Sequence, residues 1–229
     1  MTEENFKSFA SVFVLEDTRG FSPLAINHCL NLLGKSEIQR HSKIKNKKRR
    51  EQFVIARFLL LEAIYRKLGI KVTIESSLSG QPFIADYPIF CSISYSNYSI
   101  LVGFSTYGAI GVDIEENRQR NIDRLVRYYF HADDIDYFDT LNASQRVLWF
   151  YRQWTAKEAA AKANGEGLSL RILNAKNDEM AINKIILVRA EHSYSLACVH
   201  HSDQPIQLAH VVTQDSRPWI DFSLRNWSN

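Results

Sequence analysis

The spacing of apolar and polar residues in the N-terminal part of the chain predicts a strand followed by a helix. The short apolar run at residues 9–17 is typical of a strand. Residues 21–35 then carry the signals that start and stop a helix. Ser22 suits the N-cap, Pro23 suits the first helical position, and Gly34 suits the end.

A long, strongly periodic segment at residues 51–69 predicts a buried helix that ends at Gly69. One face of this helix is apolar and comprises Phe53, Ala56, Leu60, Ala63 and Ile64. Turn formers mark a loop after the short strand 71–75. Two further strands, 89–96 and 98–105, are expected to join in a tight turn at Asn97.

The second half of the chain repeats this order of elements. A strand at 108–115 precedes two shorter helices, a long helix at 144–165, and strands that include 184–190 and 193–201. Ser144 is a possible N-cap of the long helix and Gly165 a possible stop. The pattern predicts an α+β fold of two similar lobes, residues 1–107 and 108–229, each a small antiparallel sheet packed on a long helix. A cleft between lobes is a common place for a ligand.

Composition narrows the function classes. The chain has 229 residues, a net charge of +3 and three scattered cysteines without metal-type spacing. No segment approaches the length of a membrane span, so we expect a cytoplasmic protein without membrane contact. The basic run at 40–50 is an alternative nucleic-acid patch, but such a run is more often a solvated helix start, and the low overall charge argues against nucleic acid as a partner.

The first candidate site is the stretch IGVDIEENR at residues 110–118. In a strand, Asp113 and Glu115 point to the same face, with Cα atoms roughly 6.5–7 Å apart. Two carboxylates this close repel each other unless a cation lies between them. Carboxylate pairs suit Mg²⁺, which completes its shell with water and phosphate oxygens. The alternative is a solvated strand end that happens to be acidic.

The second candidate site is the stretch WTAKEAAAK at residues 154–162. Glu158 and Lys162 are four residues apart and share one face of the predicted helix. A simple ion pair worth roughly 0.2–0.5 kcal/mol is the alternative. The small alanines between them allow another group to approach closely. Lys157 and Lys162 could then meet phosphate oxygens, and Glu158 could join the two acids of the strand or accept a proton.

Taken together, these two stretches resemble the paired signature of Sfp-type 4′-phosphopantetheinyl transferases. GVDIE followed some forty residues later by WTAKEAAAK is similar to G-[IV]-D-x-E and W-x-x-K-E-x-x-x-K. The family's R-x-x-F-x-x-x-R-x-x-L helix is matched by Arg50, Phe53, Arg57 and Leu60. The segments NGEGLSL, SGQPFI and CSISYSNYSILVGF stand where the family has related sequences. The motifs cover about residues 45–175.

The resemblance implies a fold and a reaction. The fold is a pseudo-dimer of two α/β lobes in one chain, with coenzyme A in the cleft. In the reaction, a serine of an acyl or peptidyl carrier protein attacks the β-phosphate of coenzyme A, and 3′,5′-ADP leaves. Asp113, Glu115 and Glu158 would hold Mg²⁺, with Mn²⁺ as the other candidate. Glu158 would be the base, and Lys162 would stabilise the leaving phosphate.

The resemblance also implies a set of coenzyme A contacts outside the acid cluster. The residues expected at coenzyme A are Arg50, Arg57, Gln81, Ser94, Tyr95, Lys157 and Lys162. For Arg57 the alternative is an ion pair with Glu62 or another acid of a buried helix.

This sequence departs from the family at two of these positions. Tyr95 replaces a histidine and Gln81 replaces a lysine, so two cations near a phosphate are lost. The basic run 45–50 is a possible replacement for them. We expect the metal-binding acids and the lysine of the helix to keep the chemistry intact.

A non-catalytic relative that binds coenzyme A or a carrier protein is the alternative function. The intact acids and Lys162 argue against it, because a pure binder has no need of a metal set. The two-lobed fold makes a monomer the expected state. The sequence does not indicate which carrier protein is modified.

Overall fold

The structure is a computed structural model that describes residues 10–77, 80–118, 120–175, 185–191, 194–200 and 206–211. These residues form two compact units. The first contains the described residues up to Gly108 together with the strand at 206–211, and the second contains those between Ala109 and Asp203. Among the helices in these ranges, none is long and apolar enough to cross a membrane.

The first unit combines three helices with a four-stranded sheet and a small two-stranded ribbon. Its helices are α1 (Pro23–Asn31), α2 (Lys35–Lys43) and α3 (Lys47–Leu68). Its strands are β1 (Ala10–Leu15), β2 (Ile74–Ser76), β3 (Pro82–Ile84), β4 (Phe90–Ser96), β5 (Ser99–Ser105) and the late strand β9 (Ile206–Val211). The sheet order is β4-β5-β1-β9, and β2 pairs with β3.

Helix ends in this unit follow from capping residues. The Ser22 hydroxyl accepts a hydrogen bond from Ala25 N, and Pro23 occupies the first turn of α1. Where one helix was expected up to Gly34, α1 ends at Asn31 and Gly34 is instead the N-cap of α2. At the end of α3, Gly69 takes a φ of 70°, a left-handed conformation that glycine adopts without steric cost.

Helix α3 lies in the core of the first unit. The five residues of its predicted apolar face are all buried, and so are Val54, Ile55 and Leu59 on its other sides. They form one cluster with side chains of β1, β4 and β5, including Leu15, Cys91 and Phe104. This helix therefore fixes the positions of polar side chains that project from it.

The second unit repeats the plan with a three-stranded antiparallel sheet. Its elements are β6 (Ile110–Glu116), α4 (Ile122–Tyr129), α5 (Ala132–Thr140), α6 (Ala143–Ala163), α7 (Leu170–Asn174), β7 (Ile185–Glu191) and β8 (Tyr194–His200). The sheet order is β6-β8-β7. Asn142, rather than Ser144, caps α6, and its side chain and that of Gln145 form a reciprocal capping box.

The two units share an order of strands as well as an order of elements. In the first, the hairpin β4–β5 presents its second strand to β1, and in the second, the hairpin β7–β8 presents its second strand to β6. The prediction of a mixed α+β fold with small sheets is confirmed. The boundary between the lobes was predicted to leave all of residues 108–229 in the second lobe. In the structure, strand β9 (206–211) instead pairs in parallel with β1 and belongs to the first unit.

Candidate functional site

Gly111 brings the long helix α6 onto strand β6 in the second unit. A Cβ atom at this position would lie 1.9 Å from the carbonyl oxygen of Ala159 and 2.5 Å from the backbone nitrogen of Ala163. These distances are far below any van der Waals contact, so only glycine fits. Small side chains on α6 also allow this helix to lie close to the sheet. The alanines that pack against β8 are Ala156, Ala159, Ala160 and Ala163.

Asp113 follows Gly111 by two residues and therefore faces α6. Its side chain is buried, with the residue 1% exposed. Lys162 Nζ donates hydrogen bonds to Asp113 Oδ1 at 2.7 Å and to the carbonyl oxygen of Val112 at 3.1 Å. The lysine side chain is 30% exposed, so it reaches from the surface to a buried carboxylate.

Glu158 lies one turn before Lys162 on the same face of α6. The Trp154 indole N–H donates a hydrogen bond to Glu158 Oε1 at 2.9 Å. Burial, followed by the negative charges of Asp113 and Glu115, raises the pKa of Glu158 to about 7, against the lowering effects of Lys162 and Trp154. A carboxyl group with this pKa exchanges its proton readily near neutral pH.

Strand register separates the remaining acids of β6. Glu115 shares the face of Gly111 and Asp113 and is half-buried, and its Oε2 lies 3.9 Å from a guanidinium nitrogen of Arg120. Glu116 belongs to the opposite face and pairs with the neighbouring Arg118. The structure therefore brings Asp113, Glu115, Glu158 and Lys162 together and leaves Glu116 outside the cluster.

The three carboxylates of Asp113, Glu115 and Glu158, here called the acid cluster, are suitable ligands for Mg²⁺, although their present geometry does not form a metal site. Three carboxylates that repel one another are the donors a hard divalent cation prefers. Within the described ranges, however, no three His, Cys, Asp or Glu side chains are arranged to hold a metal ion. The ammonium group of Lys162 contacts Asp113 in this structure.

Lys157, expected at a phosphate, is instead buried inside the second unit. Its Nζ donates a hydrogen bond to the carbonyl oxygen of Ala175 at 2.5 Å and lies 3.9 Å from Asp134 Oδ2. Burial lowers the pKa of this lysine. Adjacent helical residues are about 100° apart around the axis, so Lys157 and Glu158 cannot serve the same face. Its ammonium group therefore ties α6 to α5 and to the end of α7.

Arg57, also expected at coenzyme A, forms a buried ion pair in the first unit. Its guanidinium group pairs with Glu37, which is fully buried and whose Oε1 accepts a hydrogen bond from Ser76 Oγ at 2.7 Å. Burial lowers the pKa of Arg57, although the contact with Glu37 opposes this. Arg57 therefore forms the ion pair that the sequence offered as an alternative to a ligand contact. Its partner is Glu37, whereas Glu62 pairs with Arg66.

The other residues expected at coenzyme A also lie in the first unit. Arg50 is half-buried in the first turn of α3, and Ser94 is buried in β4. The backbone of Gln81 forms a turn with Ser77. The ring of Tyr95 lies 3.5 Å beneath the guanidinium carbon of Arg49.

Sequence reasoning missed two residues beside the acid cluster and one contact in the first unit. Trp154 precedes Glu158 by four residues, the spacing of a shared helix face, and Gly111 precedes Asp113 by two, the spacing of a shared strand face. Both spacings were available in the sequence. The stacking of Arg49 on Tyr95 joins two segments that are distant in the chain, so only the fold reveals it.

Comparison with known proteins finds that residues 109–213 are similar to a known family. The model of the 4′-phosphopantetheinyl transferase superfamily matches residues 109–213, a range that contains the entire acid cluster. The resemblance inferred from the sequence motifs is thereby confirmed.

Individual relatives carry the same description. A putative 4′-phosphopantetheinyl transferase of Synechocystis is 29% identical over 60% of this chain and 59% of its own length. The 4′-phosphopantetheinyl transferase AcpT of Escherichia coli K12 is 28% identical over 76% of this chain and 84% of its own. The 4′-phosphopantetheinyl transferase Sfp of Bacillus subtilis is 31% identical over 40% of each. The chain spans between about half and two thirds of the length of several relatives that it matches.

Proposed function

We propose that this protein, whose residues 109–213 match the 4′-phosphopantetheinyl transferase superfamily, is a transferase of the holo-[acyl-carrier-protein] synthase type. It would transfer the phosphopantetheine arm of coenzyme A to a serine of an acyl or peptidyl carrier protein and release 3′,5′-ADP. The observation that carries the proposal is the acid cluster, in which Lys162 bonds Asp113, and Glu158 feels the charges of Asp113, Glu115 and Lys162.

The chemistry requires a base, a cation and a held pyrophosphate. The serine oxygen forms a bond to the β-phosphorus of coenzyme A while the bridging bond to the leaving nucleotide breaks. Glu158 accepts the serine proton, and burial beside Asp113 and Glu115 raises its pKa to about 7 in the metal-free protein. Lys162 supplies positive charge to the leaving phosphate oxygens.

A divalent cation belongs to this proposal. Asp113, Glu115 and Glu158 would hold Mg²⁺ or Mn²⁺, whose charge would neutralise the phosphoryl oxygens in the transition state. Trp154 supports this set by fixing one oxygen of Glu158 through its N–H group. Gly111 supports it by allowing α6 to lie against β6.

The two units are proposed to be two similar lobes, the halves of a pseudo-dimer. The shared strand order of the two units supports this arrangement. Arg50, Ser94, Tyr95 and Gln81 of the first unit are proposed to contact the nucleotide. Arg57 and Lys157 are proposed to act indirectly, by holding the elements that carry these contacts.

We further propose that the protein acts as a monomer in the cytoplasm. Its three cysteines are buried and free of disulfide bonds, as is usual in a reducing compartment.

The test is mass spectrometry of several apo-carrier proteins incubated with this protein, coenzyme A and Mg²⁺. A gain of one phosphopantetheine arm is expected with the wild type. Asp113→Ala should abolish the gain, whereas Glu116→Ala, on the opposite strand face, should retain most of it. The absence of any gain while coenzyme A still binds would instead support a non-catalytic binder. Equal loss in the two variants would show that the assigned strand faces do not determine function.

A further inference from the structure

Lys162 has a long, flexible side chain that bonds the buried carboxylate of Asp113. Asp113 lies in β6, is buried, and faces a helix that Gly111 holds in contact with the strand. A buried carboxylate is strongly destabilised unless a cation accompanies it. Lys162 provides that cation, at 2.7 Å from Oδ1.

We infer that Lys162 is a resident counter-ion of the acid cluster, and that a divalent cation binding at Asp113 displaces its ammonium group. The inference rests on the proposed function, which puts the divalent cation at this cluster. Lys162 would thus have two positions, one on Asp113 in the metal-free protein and one directed away from it when the metal is bound.

The two cations compete because they use the same carboxylate. Magnesium binds carboxylate oxygens at about 2.0–2.1 Å and demands a nearly regular octahedron of ligands. An ammonium group at 2.7 Å from Oδ1 occupies one direction of approach and also repels a dication.

Lys162 is able to leave Asp113 without disturbing the fold. It belongs to the last turn of α6, and its side chain is 30% exposed, so the ammonium group has a short path to solvent. Its flexible four-carbon stem allows that movement without a shift of the helix. Its release would direct a positive charge outward, towards an anionic substrate, at the moment the metal is bound.

The first experiment measures Mn²⁺ binding to the full-length protein by titration calorimetry, without coenzyme A or carrier protein. Lys162→Met should bind Mn²⁺ tighter than the wild type by about tenfold or more, because it removes a competing charge in contact with a ligand. Arg152→Met is the matched control, since it removes one positive charge from an exposed position of the same helix. Its affinity should equal that of the wild type.

Two outcomes would overturn the inference. One is an affinity of Lys162→Met that is unchanged or weaker, and the other is an equal gain in Arg152→Met, which would indicate a general effect of net charge. Circular dichroism establishes that each variant is folded, and Lys162→Gln replaces Lys162→Met if the latter is not.

A second experiment uses the wild type alone. Reductive methylation followed by peptide mass spectrometry should show that Mg²⁺ increases the modification rate of Lys162 but not that of the exposed Lys71. An unchanged rate at Lys162 would contradict displacement. Because neither experiment uses coenzyme A, failure here with normal transfer would leave the proposed function intact. Displacement of Lys162 by the metal in a protein that transfers no phosphopantetheine would refute the proposed function and leave this inference intact.

Discussion

Replacing Gly111 with alanine tests whether the close approach of α6 to β6 creates the site. The added Cβ would lie 1.9 Å from the Ala159 carbonyl oxygen, and real Cβ atoms stay at least 3.0 Å from such neighbours. Both elements must therefore separate by about 1.1 Å, because the opposing atoms are backbone and cannot rotate away. Overpacking of this kind typically destabilises a core by about 1–3 kcal/mol.

The same movement should damage the acid cluster. A shift of about 1.1 Å would move Glu158, on α6, by that distance relative to Asp113, on β6. Misplacement of about 1 Å at a reacting centre can cost about 100-fold in rate. We therefore expect Gly111→Ala to lose about 3 kcal/mol of unfolding free energy in urea and most of its transfer rate.

Gly167→Ala is the matched control for this substitution. A Cβ there meets no atom within 4 Å, so stability should change by no more than about 0.5 kcal/mol. If Gly111→Ala unfolds at the same urea concentration as Gly167→Ala, the close packing of α6 on β6 is not what the protein relies on, and the account of the site fails.

Three further predictions concern individual side chains. Arg57→Ala should cost about 3 kcal/mol of unfolding free energy, because it removes the guanidinium group that pairs with buried Glu37 and leaves the more distant Arg40, 3.9 Å away. Arg50→Ala should instead leave stability unchanged and raise the KM for coenzyme A; the opposite assignment of the two effects would refute the prediction. In the metal-free protein the folded pKa of Glu158, about 7, lies above the ordinary glutamate value of 4.5, so stability should fall as pH rises between these values. Chemical denaturation from pH 4 to 8 should therefore show Glu158→Gln gaining about 1–3 kcal/mol relative to the wild type, and a constant difference would contradict the assignment. Because the Tyr95 hydroxyl carries no charge, loss of the 3′-phosphate should cost less here than in a relative with histidine at this position; kcat/KM for coenzyme A and dephospho-coenzyme A measures this, and a very large preference for coenzyme A would refute it.

Local signals in the sequence predicted the elements that carry the site. The strand before Asp113, the long helix with Glu158 and Lys162, and the turn at Asn97, where φ is 52°, all follow from spacing and turn chemistry. The division of acids between the two faces of β6 follows from the alternation of a strand alone. These features depend on neighbours within a few residues of each other in the chain.

Contacts between residues that are distant in the chain could not be predicted from such local signals. Arg57 pairs with Glu37 rather than with an acid of its own helix, because α2 packs beside α3. Lys157 has a lysine's usual preference for solvent, yet the carbonyl of Ala175 and Asp134 hold it in the interior. Both cations were assigned to a ligand because a sequence does not reveal which acid or carbonyl will meet a long side chain.

The parallel pairing of β9 with β1 has a consequence for synthesis of the chain. The ribosome completes β5 about a hundred residues before it completes β9, and elongation proceeds at about 5–20 residues per second. For roughly 5–20 seconds the backbone N–H and C=O groups along one side of β1 have no strand partner, although the other three strands have emerged. During that interval Ala10–Leu15 is an open sheet edge, the type of surface that pairs with other chains. The nascent protein is therefore most exposed to aggregation while its second unit is still being made.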